Sequence, residues 1–161
     1  METIYLAGGC VWGTQAYIKT LPGVLETEAG RANGQTNTLE SPYDGYVECI
    51  KTHFDSEEVS VKQLVAYLFE AIDPYSVNQQ GEDIGPKYRT GVYSQSRKHL
   101  EEAADYIASR ADAAQIVAEV LPLTQYIPSA PEHQDYLDRH PDDYCHISKA
   151  LIKKYQLEKE K

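Results

Sequence analysis

The stretch Gly8-Gly9-Cys10-Val11-Trp12-Gly13 decides the fold, because it joins a short strand to a helix through a cysteine. Residues 2–7 alternate in the manner of a strand, and the glycine pair permits a sharp turn. A helix is predicted over residues 13–20. The Cys10 thiol is therefore expected near a helix N-terminus, where free backbone N–H groups stabilise a thiolate and lower the thiol pKa.

Other interpretations of this stretch stay open at this point. Free cysteine is among the most buried residue types, so Cys10 could be an ordinary core residue. A strand, a glycine pair and a helix also build phosphate-binding loops, although the Lys-Ser/Thr pair of a P-loop is absent from this sequence. Trp12 either walls an apolar pocket beside the thiol or fills the core.

Farther along the chain, strand and helix patterns mix without a regular βαβ rhythm. Strands are predicted over residues 24–32, 46–54, 89–93 and 115–120, and helices after Ser60, after Ser96, over 131–139 and weakly over 147–157. The mixture predicts an α+β fold, a two-layer sandwich with helices packed on a mixed central sheet and Cys10 at a strand-to-helix turn. We expect one domain over residues 1–161, with a flexible charged tail from about 150 to 161.

Composition and charge exclude several classes of protein. The chain has 161 residues, of which 42% are hydrophobic and 25% charged, as in ordinary globular domains. Its net charge of −10 argues against nucleic acid and acidic membrane surfaces as partners. No apolar run is long enough to span a membrane or to resemble a secretory signal. The same net charge favours a monomer. Three cysteines do not form a disulfide framework, so the reducing cytoplasm is predicted.

Glu48 is the second candidate for chemistry. Strand alternation over residues 46–54 places it on the same face as Ile50 and Phe54, whereas Cys49 points to the opposite face. A carboxyl group among apolar neighbours loses hydration, which raises its pKa and lets it act as a proton donor. The alternative is a glutamate at a strand edge in water.

Two later segments also group polar side chains. The loop over residues 80–89 brings together a carboxylate, a phenol, a guanidinium and two glycines, although its composition alone also fits a solvated turn. His133 and Cys145 could be metal ligands, but closely paired ligands are missing around them. The spacing of Cys, His and carboxylate residues therefore argues against a metal site.

Four motifs, in order, make the sequence resemble the peptide methionine sulfoxide reductase A family. The resemblance covers about residues 3 to 147. The matching segments are Gly9-Cys10-Val11-Trp12-Gly13, Gly45-Tyr46-Val47-Glu48, the loop over residues 80–89, and His133-Gln134-Asp135-Tyr136-Leu137. The resemblance implies that the protein is a peptide-methionine (S)-S-oxide reductase, which reduces methionine S-sulfoxide, free or protein-bound, to methionine.

The resemblance also implies a role for each matched residue. Cys10 would attack the sulfoxide sulfur and become a sulfenic acid, while Glu48 and Tyr88 would hydrogen-bond or protonate the sulfoxide oxygen. Cys145 would resolve the sulfenic acid as a Cys10–Cys145 disulfide, which thioredoxin, or dithiothreitol in vitro, would reduce without a cofactor or metal. The residues implied to contact substrate are Trp12, Val11, Asp83 and, as the nearest candidate for a second oxygen-contacting tyrosine, Tyr43.

The sequence departs from the family pattern at several positions near these motifs. Val11 stands where the family usually has Phe, Tyr46 where His is common, and the loop over residues 35–45 is shorter than usual. These departures bear on substrate preference more than on reaction class. The rival hypothesis is a non-catalytic thiol redox sensor that kept the fold and lost the pocket.

Overall fold

A mixed sheet with helices on it forms the body of the protein in a computed structural model, which describes residues 1–35, 38–40 and 42–160. The strands are β1 (Glu2–Gly8), β2 (Val24–Ala32), β3 (Val47–Phe54), β4 (Gln79–Gln80), β5 (Asp83–Ile84), β6 (Thr90–Ser94), β7 (Glu119–Pro122) and β8 (Tyr126–Pro128). The α-helices are α1 (Val11–Ile18), α2 (Val61–Ala71), α3 (Arg97–Ser109), α4 (Tyr136–Arg139) and α5 (Lys149–Lys159). Single 3₁₀ turns cover Pro86–Tyr88, Ala113–Gln115 and Pro131–His133.

Among the described residues, six strands pair in the order β7-β6-β1-β3-β2-β8, and β4 pairs with β5 in a separate ribbon. The pairs in the large sheet are antiparallel except for β6 with β7, which is parallel. The sheet is therefore mixed, and helices pack on it. The predicted α+β architecture is confirmed.

The two faces of the sheet carry separate apolar clusters, as the period-2 alternation of strand side chains requires. Ile50 and Phe54 of β3 belong to the larger cluster, together with the apolar faces of α1 and α2. Val47 and Cys49 belong to a smaller cluster on the other face, which includes Tyr93. Glu48 alternates with Val47 and Cys49, so its side chain leaves β3 on the face where α1 lies.

The turn between β1 and α1 is fixed by its backbone. Gly9 has φ +98°, a conformation that side chains with a Cβ rarely adopt. The Thr14 hydroxyl lies 3.2 Å from the Gly8 carbonyl and 2.9 Å from the Cys10 carbonyl, so it binds the turn to the first turn of α1. Cys10 is the residue immediately before α1, as predicted, although the helix begins two residues earlier than the sequence pattern indicated.

The predicted helix over residues 131–139 is interrupted in the structure. Asp135 has φ +49°, which breaks the segment into a 3₁₀ turn and the short α4. Its backbone N–H donates to Gln15 Oε1 at 2.9 Å, and Gln134 hydrogen-bonds both backbone groups of Ala29 at 2.8 Å. These tertiary bonds fix the segment against α1 and β2, which local helix propensity does not report.

The expectation of a flexible tail after residue 150 needs correction, because the chain there forms α5. Ser148 caps this helix, and Tyr155 is only 6% exposed. The Tyr155 hydroxyl donates to Glu70 at 2.5 Å, and the Lys159 ammonium donates to the Val24 carbonyl at 2.6 Å. A buried aromatic ring with these contacts holds α5 on the domain.

None of the helices in the described part of the chain is both long and apolar enough to cross a membrane.

Candidate active site

A cavity of about 340 Å³ opens where α1 begins, between the sheet and the loop that follows α2. Six of the eight residues predicted for the site line this cavity: Cys10, Val11, Trp12, Glu48, Asp83 and Tyr88. They come from β1–α1, from β3 and from the loop over residues 80–89, which are far apart in the sequence. His133 of the fourth motif lines the cavity as well, so the fold assembles all four motifs around one hollow.

The thiol of Cys10 faces this cavity in its protonated form. Burial, with smaller contributions from the nearby Glu48 and Asp83 carboxylates, raises the pKa of Cys10 to about 12. The backbone N–H of Trp12 and the Lys87 ammonium act in the opposite direction but do not prevail. The expected lowering of this pKa by the start of α1 is thus wrong, because desolvation outweighs the helix terminus.

Glu48 projects from β3 toward the start of α1. Its Oε1 accepts the Val11 N–H at 3.4 Å, and its Oε2 lies 3.9 Å from the Lys87 ammonium. Burial raises the pKa of Glu48, which Lys87, the Val11 N–H and Arg31 only partly oppose. The carboxyl group therefore has the raised pKa that a proton donor needs, as its place on the apolar face of β3 predicted.

Tyr88 ends the 3₁₀ turn Pro86–Tyr88, which packs near β3. Burial, and then the Glu48 charge, raises the pKa of the Tyr88 phenol, so the hydroxyl keeps its proton and can donate it in a hydrogen bond. The loop is held by buried Gln80, whose amide accepts the Asp73 N–H at 2.9 Å and donates to Thr90 Oγ1 at 3.1 Å. Gln80 thus positions the loop rather than the substrate.

Trp12 forms an aromatic wall of the cavity. Its indole stacks on Tyr136 with ring centroids 3.7 Å apart and planes 9° apart, and its Nε1–H donates to His133 Nδ1 at 3.1 Å. The fourth motif, which carries His133 and Tyr136, therefore fixes the orientation of the indole. The Val11 side chain is buried beside it.

We expect Tyr136→Leu to raise KM for a methionine sulfoxide substrate by about 2- to 10-fold while kcat changes less, because a lost aromatic stack is worth about 0.5–1.5 kcal/mol. Steady-state kinetics with dithiothreitol as reductant measure both constants. Tyr75→Leu is the matched control, since Tyr75 is 45% exposed and lies outside the cavity. Equal KM values for the two variants would contradict a role for the stack in holding Trp12.

The prediction that Tyr43 contacts the substrate needs correction. Its side chain is 46% exposed and does not line the cavity. The hydroxyl donates to the Tyr46 carbonyl at 2.9 Å, and the ring packs edge-on against Tyr46. The hydroxyl is therefore engaged with the backbone at the start of β3, and Tyr46 takes the place in the cavity lining.

Cys145 lies behind the first turn of α1 rather than in the cavity with Cys10. A Cβ built on Gly13 would come 2.8 Å from Cys145 Sγ, so the thiol packs directly on the helix backbone. It lines a second, smaller pocket with Ala16 and Ile152. All three cysteines are free thiols, and Cys49 is buried on the opposite face of the sheet.

Sequence reasoning missed several residues of the cavity wall. Arg31, Lys87, Ser129, Tyr144 and His146 line it in addition to the predicted residues. Arg31 of β2 lies directly opposite Glu48 of β3 in the strand register. Its guanidinium lies 4.4 Å from the centroid of the Tyr46 ring. Strand alternation gives the face of each residue, but only the β2–β3 register places Arg31 beside Glu48.

Metal binding has no support from the geometry. Within residues 1–35, 38–40 and 42–160, no group of three or more His, Cys, Asp or Glu side chains is arranged to hold a metal ion. His133 accepts a hydrogen bond from Trp12, and Cys145 packs on Gly13.

Comparison with known proteins identifies the family of this chain. A family model described as peptide methionine sulfoxide reductase matches residues 2–161. The chain belongs to the peptide methionine sulfoxide reductase family. The peptide methionine sulfoxide reductase MsrA of Clostridium acetobutylicum is 39% identical over 165 residues, which cover 96% of this chain and all of that protein.

Three solved structures share the fold. Mxr1 from Saccharomyces cerevisiae in reduced form gives a TM-score of 0.82 at 25% identity, with 89% of this chain and 88% of that chain covered. Mxr1 in complex with Trx2 gives 0.61 at 19% identity, with 84% of each chain covered. Methionine sulfoxide reductase A of Corynebacterium diphtheriae gives 0.74 at 31% identity, covering 89% and 77%.

Proposed function

We propose that this chain reduces methionine S-sulfoxide, free or within proteins, to methionine through Cys10, Glu48 and Tyr88. The observation that carries the proposal is that one cavity holds a thiol, a carboxyl group of raised pKa and a protonated phenol. Membership of the peptide methionine sulfoxide reductase family supports the same reaction class.

The chemistry of a sulfoxide calls for these three groups together. Its sulfur becomes electrophilic when the oxygen is protonated or hydrogen-bonded, which Glu48 and Tyr88 can provide from one side of the cavity. The Cys10 sulfur then attacks as its thiol loses a proton, and the oxygen ends on Cys10 as a sulfenic acid. Methionine leaves, and the thiol proton replaces the proton that Glu48 gave.

Trp12 and Val11 supply the apolar part of the cavity, which suits the S-methyl group of the substrate. Asp83 lines the cavity near the thiol, and its pKa is raised by burial, so it can also hydrogen-bond a polar substrate atom. The valine at position 11 leaves Trp12 as the aromatic wall next to the thiol.

The second half of the reaction uses Cys145. The Cys145 sulfur attacks the Cys10 sulfenic acid, water leaves, and a disulfide joins the two residues. Cys145 packs against Gly13, which lies one helical turn from Cys10 along α1. Thioredoxin is the proposed reductant, and the solved complex of Mxr1 with Trx2 supports this choice.

The three free thiols fit a reducing compartment, and we place the enzyme in the cytoplasm as a monomer. The net charge of −10 makes nucleic acid an unfavourable partner.

The test is to mix the reduced protein with one equivalent of methionine S-sulfoxide without reductant. We expect one equivalent of methionine and a protein lighter by two hydrogen atoms, with a disulfide that maps to Cys10 and Cys145. The R epimer is the matched control. It should release no methionine and leave the mass of the protein unchanged. If the wild-type protein releases no methionine but gains an oxygen from hydrogen peroxide, the redox sensor is the correct function.

A further inference from the structure

His146 and Asp83 form an unusual polar pair beside the proposed reaction centre. His146 Nδ1 and Asp83 Oδ2 are both buried, and neither atom has a hydrogen-bond partner in the described part of the chain. They lie 3.8 Å apart, and the His146 side chain is only 2% exposed. Buried polar atoms are normally hydrogen-bonded, so an unpartnered pair in an enzyme calls for a functional explanation.

The hydrogen bond on the other nitrogen defines the state of the His146 ring. Nε2 lies 2.6 Å from the Gly8 carbonyl oxygen, which can only accept, so Nε2 carries a hydrogen. Burial lowers the pKa of His146 and keeps the ring neutral. In the neutral ring, Nδ1 therefore presents a free lone pair, which is the form that accepts a proton.

His146 lies close to both cysteines of the proposed relay. Its side chain lines the cavity that contains Cys10. A Cβ built on Gly13 would lie 3.0 Å from His146 Nδ1 and 2.8 Å from Cys145 Sγ. The imidazole and the Cys145 thiol therefore approach the same point of α1. The absence of a side chain at Gly13 lets the thiol and the imidazole edge approach α1 together.

We propose that His146 is the general base of the disulfide-forming step, an assignment that rests on the proposed Cys10–Cys145 relay. Nδ1 takes the proton of the Cys145 thiol as its sulfur bonds to the Cys10 sulfur. The S–O bond of the sulfenic acid breaks, and the departing hydroxyl takes the proton back from Nδ1 and leaves as water. Cys145 is oxidised and Cys10 reduced, and Asp83 stabilises the transient imidazolium.

His146→Gln tests this assignment, because a glutamine amide can still donate to the Gly8 carbonyl but provides no base of comparable strength. After one equivalent of S-sulfoxide, acid-quenched samples give methionine release, and intact mass gives the disulfide. We expect disulfide formation to slow by about 10²-fold relative to methionine release measured in the same samples. The sulfenic acid should then accumulate, as a mass gain of one oxygen that dimedone traps.

Two comparisons make the result decisive. His146→Ala removes the hydrogen-bond donor as well as the base. If disulfide formation is slow in His146→Ala but normal in His146→Gln, His146 only holds the chain in place through its hydrogen bond to Gly8. The proposal would then be wrong. His53→Gln, on the distant end of β3, is the matched control and should form the disulfide at the wild-type rate. Failure of the proposed function is a separate outcome, since wild-type protein would then release no methionine.

Discussion

Cys10→Ala is expected to abolish methionine sulfoxide reduction, with a fall in kcat on the order of 10⁶-fold, as for other catalytic nucleophiles. The reason is that the oxygen acceptor itself is removed, and no other thiol lines the cavity in the described part of the chain. Turnover of a dabsylated methionine sulfoxide with dithiothreitol measures the loss, and circular dichroism checks that the fold is retained.

The other two cysteines provide matched alanine controls for this variant. Cys49→Ala should keep turnover, because Cys49 is buried on the opposite face of the sheet. Cys145→Ala should release one equivalent of methionine and then stop with thioredoxin as reductant, since the resolving thiol is missing. Turnover by a correctly folded Cys10→Ala protein would move the nucleophile to another residue and overturn the proposed mechanism.

Glu48→Gln is expected to lower the rate of methionine release by about 10²- to 10⁴-fold, the usual contribution of a positioned acid. Glutamine keeps the size and one hydrogen-bond donor but cannot give a proton to the sulfoxide oxygen. Single-turnover methionine release measures the step directly. Glu57→Gln, which lies in an exposed turn after β3, is the matched control and should behave as wild type.

The pH dependence of methionine release in the wild type and in Glu48→Gln gives a sharper test. Burial raises the pKa of Glu48, so its acid form persists above the usual carboxyl range and is lost as the pH rises through that raised pKa. The wild-type single-turnover rate should decline over the same interval. In Glu48→Gln that titration is absent, and only solvent acid supports the residual rate, which is therefore highest at low pH. If the pH–rate profiles of the wild type and of Glu48→Gln have the same shape, Glu48 is not the proton donor.

The same raised pKa predicts that Glu48 costs stability. Above the ordinary carboxyl pKa, and up to the raised one, the folded protein binds more protons than the unfolded chain, so the free energy of unfolding falls as the pH rises. Glu48→Gln removes this dependence. We expect denaturant unfolding at pH 8 to show the variant at least as stable as wild type, whereas at pH 4 the two should converge.

The sequence alone located most of the predicted site residues that line the cavity because their signals are local. Two glycines before Cys10 require a tight turn, and period-2 alternation puts Glu48 and Cys49 on opposite faces of β3. The motif order and the strand and helix patterns were enough to predict the family and the α+β class. The 3₁₀ turn Pro86–Tyr88 brings Tyr88 to the same cavity, which the grouping of polar residues in that loop indicated.

Properties that depend on distant neighbours could not be derived in this way. Tyr43 and Tyr46 are equivalent tyrosines in the sequence, yet the hydrogen bond between them turns one outward and leaves the other in the cavity. The charged residues after position 150 suggested a loose tail, but the pocket that receives Tyr155 lies on α1 and α2. Burial of side chains by remote elements has no local pattern.

What the sequence by itself determined is the family and the α+β class, together with the places of Cys10 before α1 and of Glu48 on one face of β3, since these follow from turn chemistry, alternation and motif order. Only the tertiary structure decided the protonation of Cys10, the place of Cys145 behind Gly13 and the position of His146 close to both thiols. The physical reason is that desolvation and close packing arise from segments far apart in the sequence, which meet only when the chain folds.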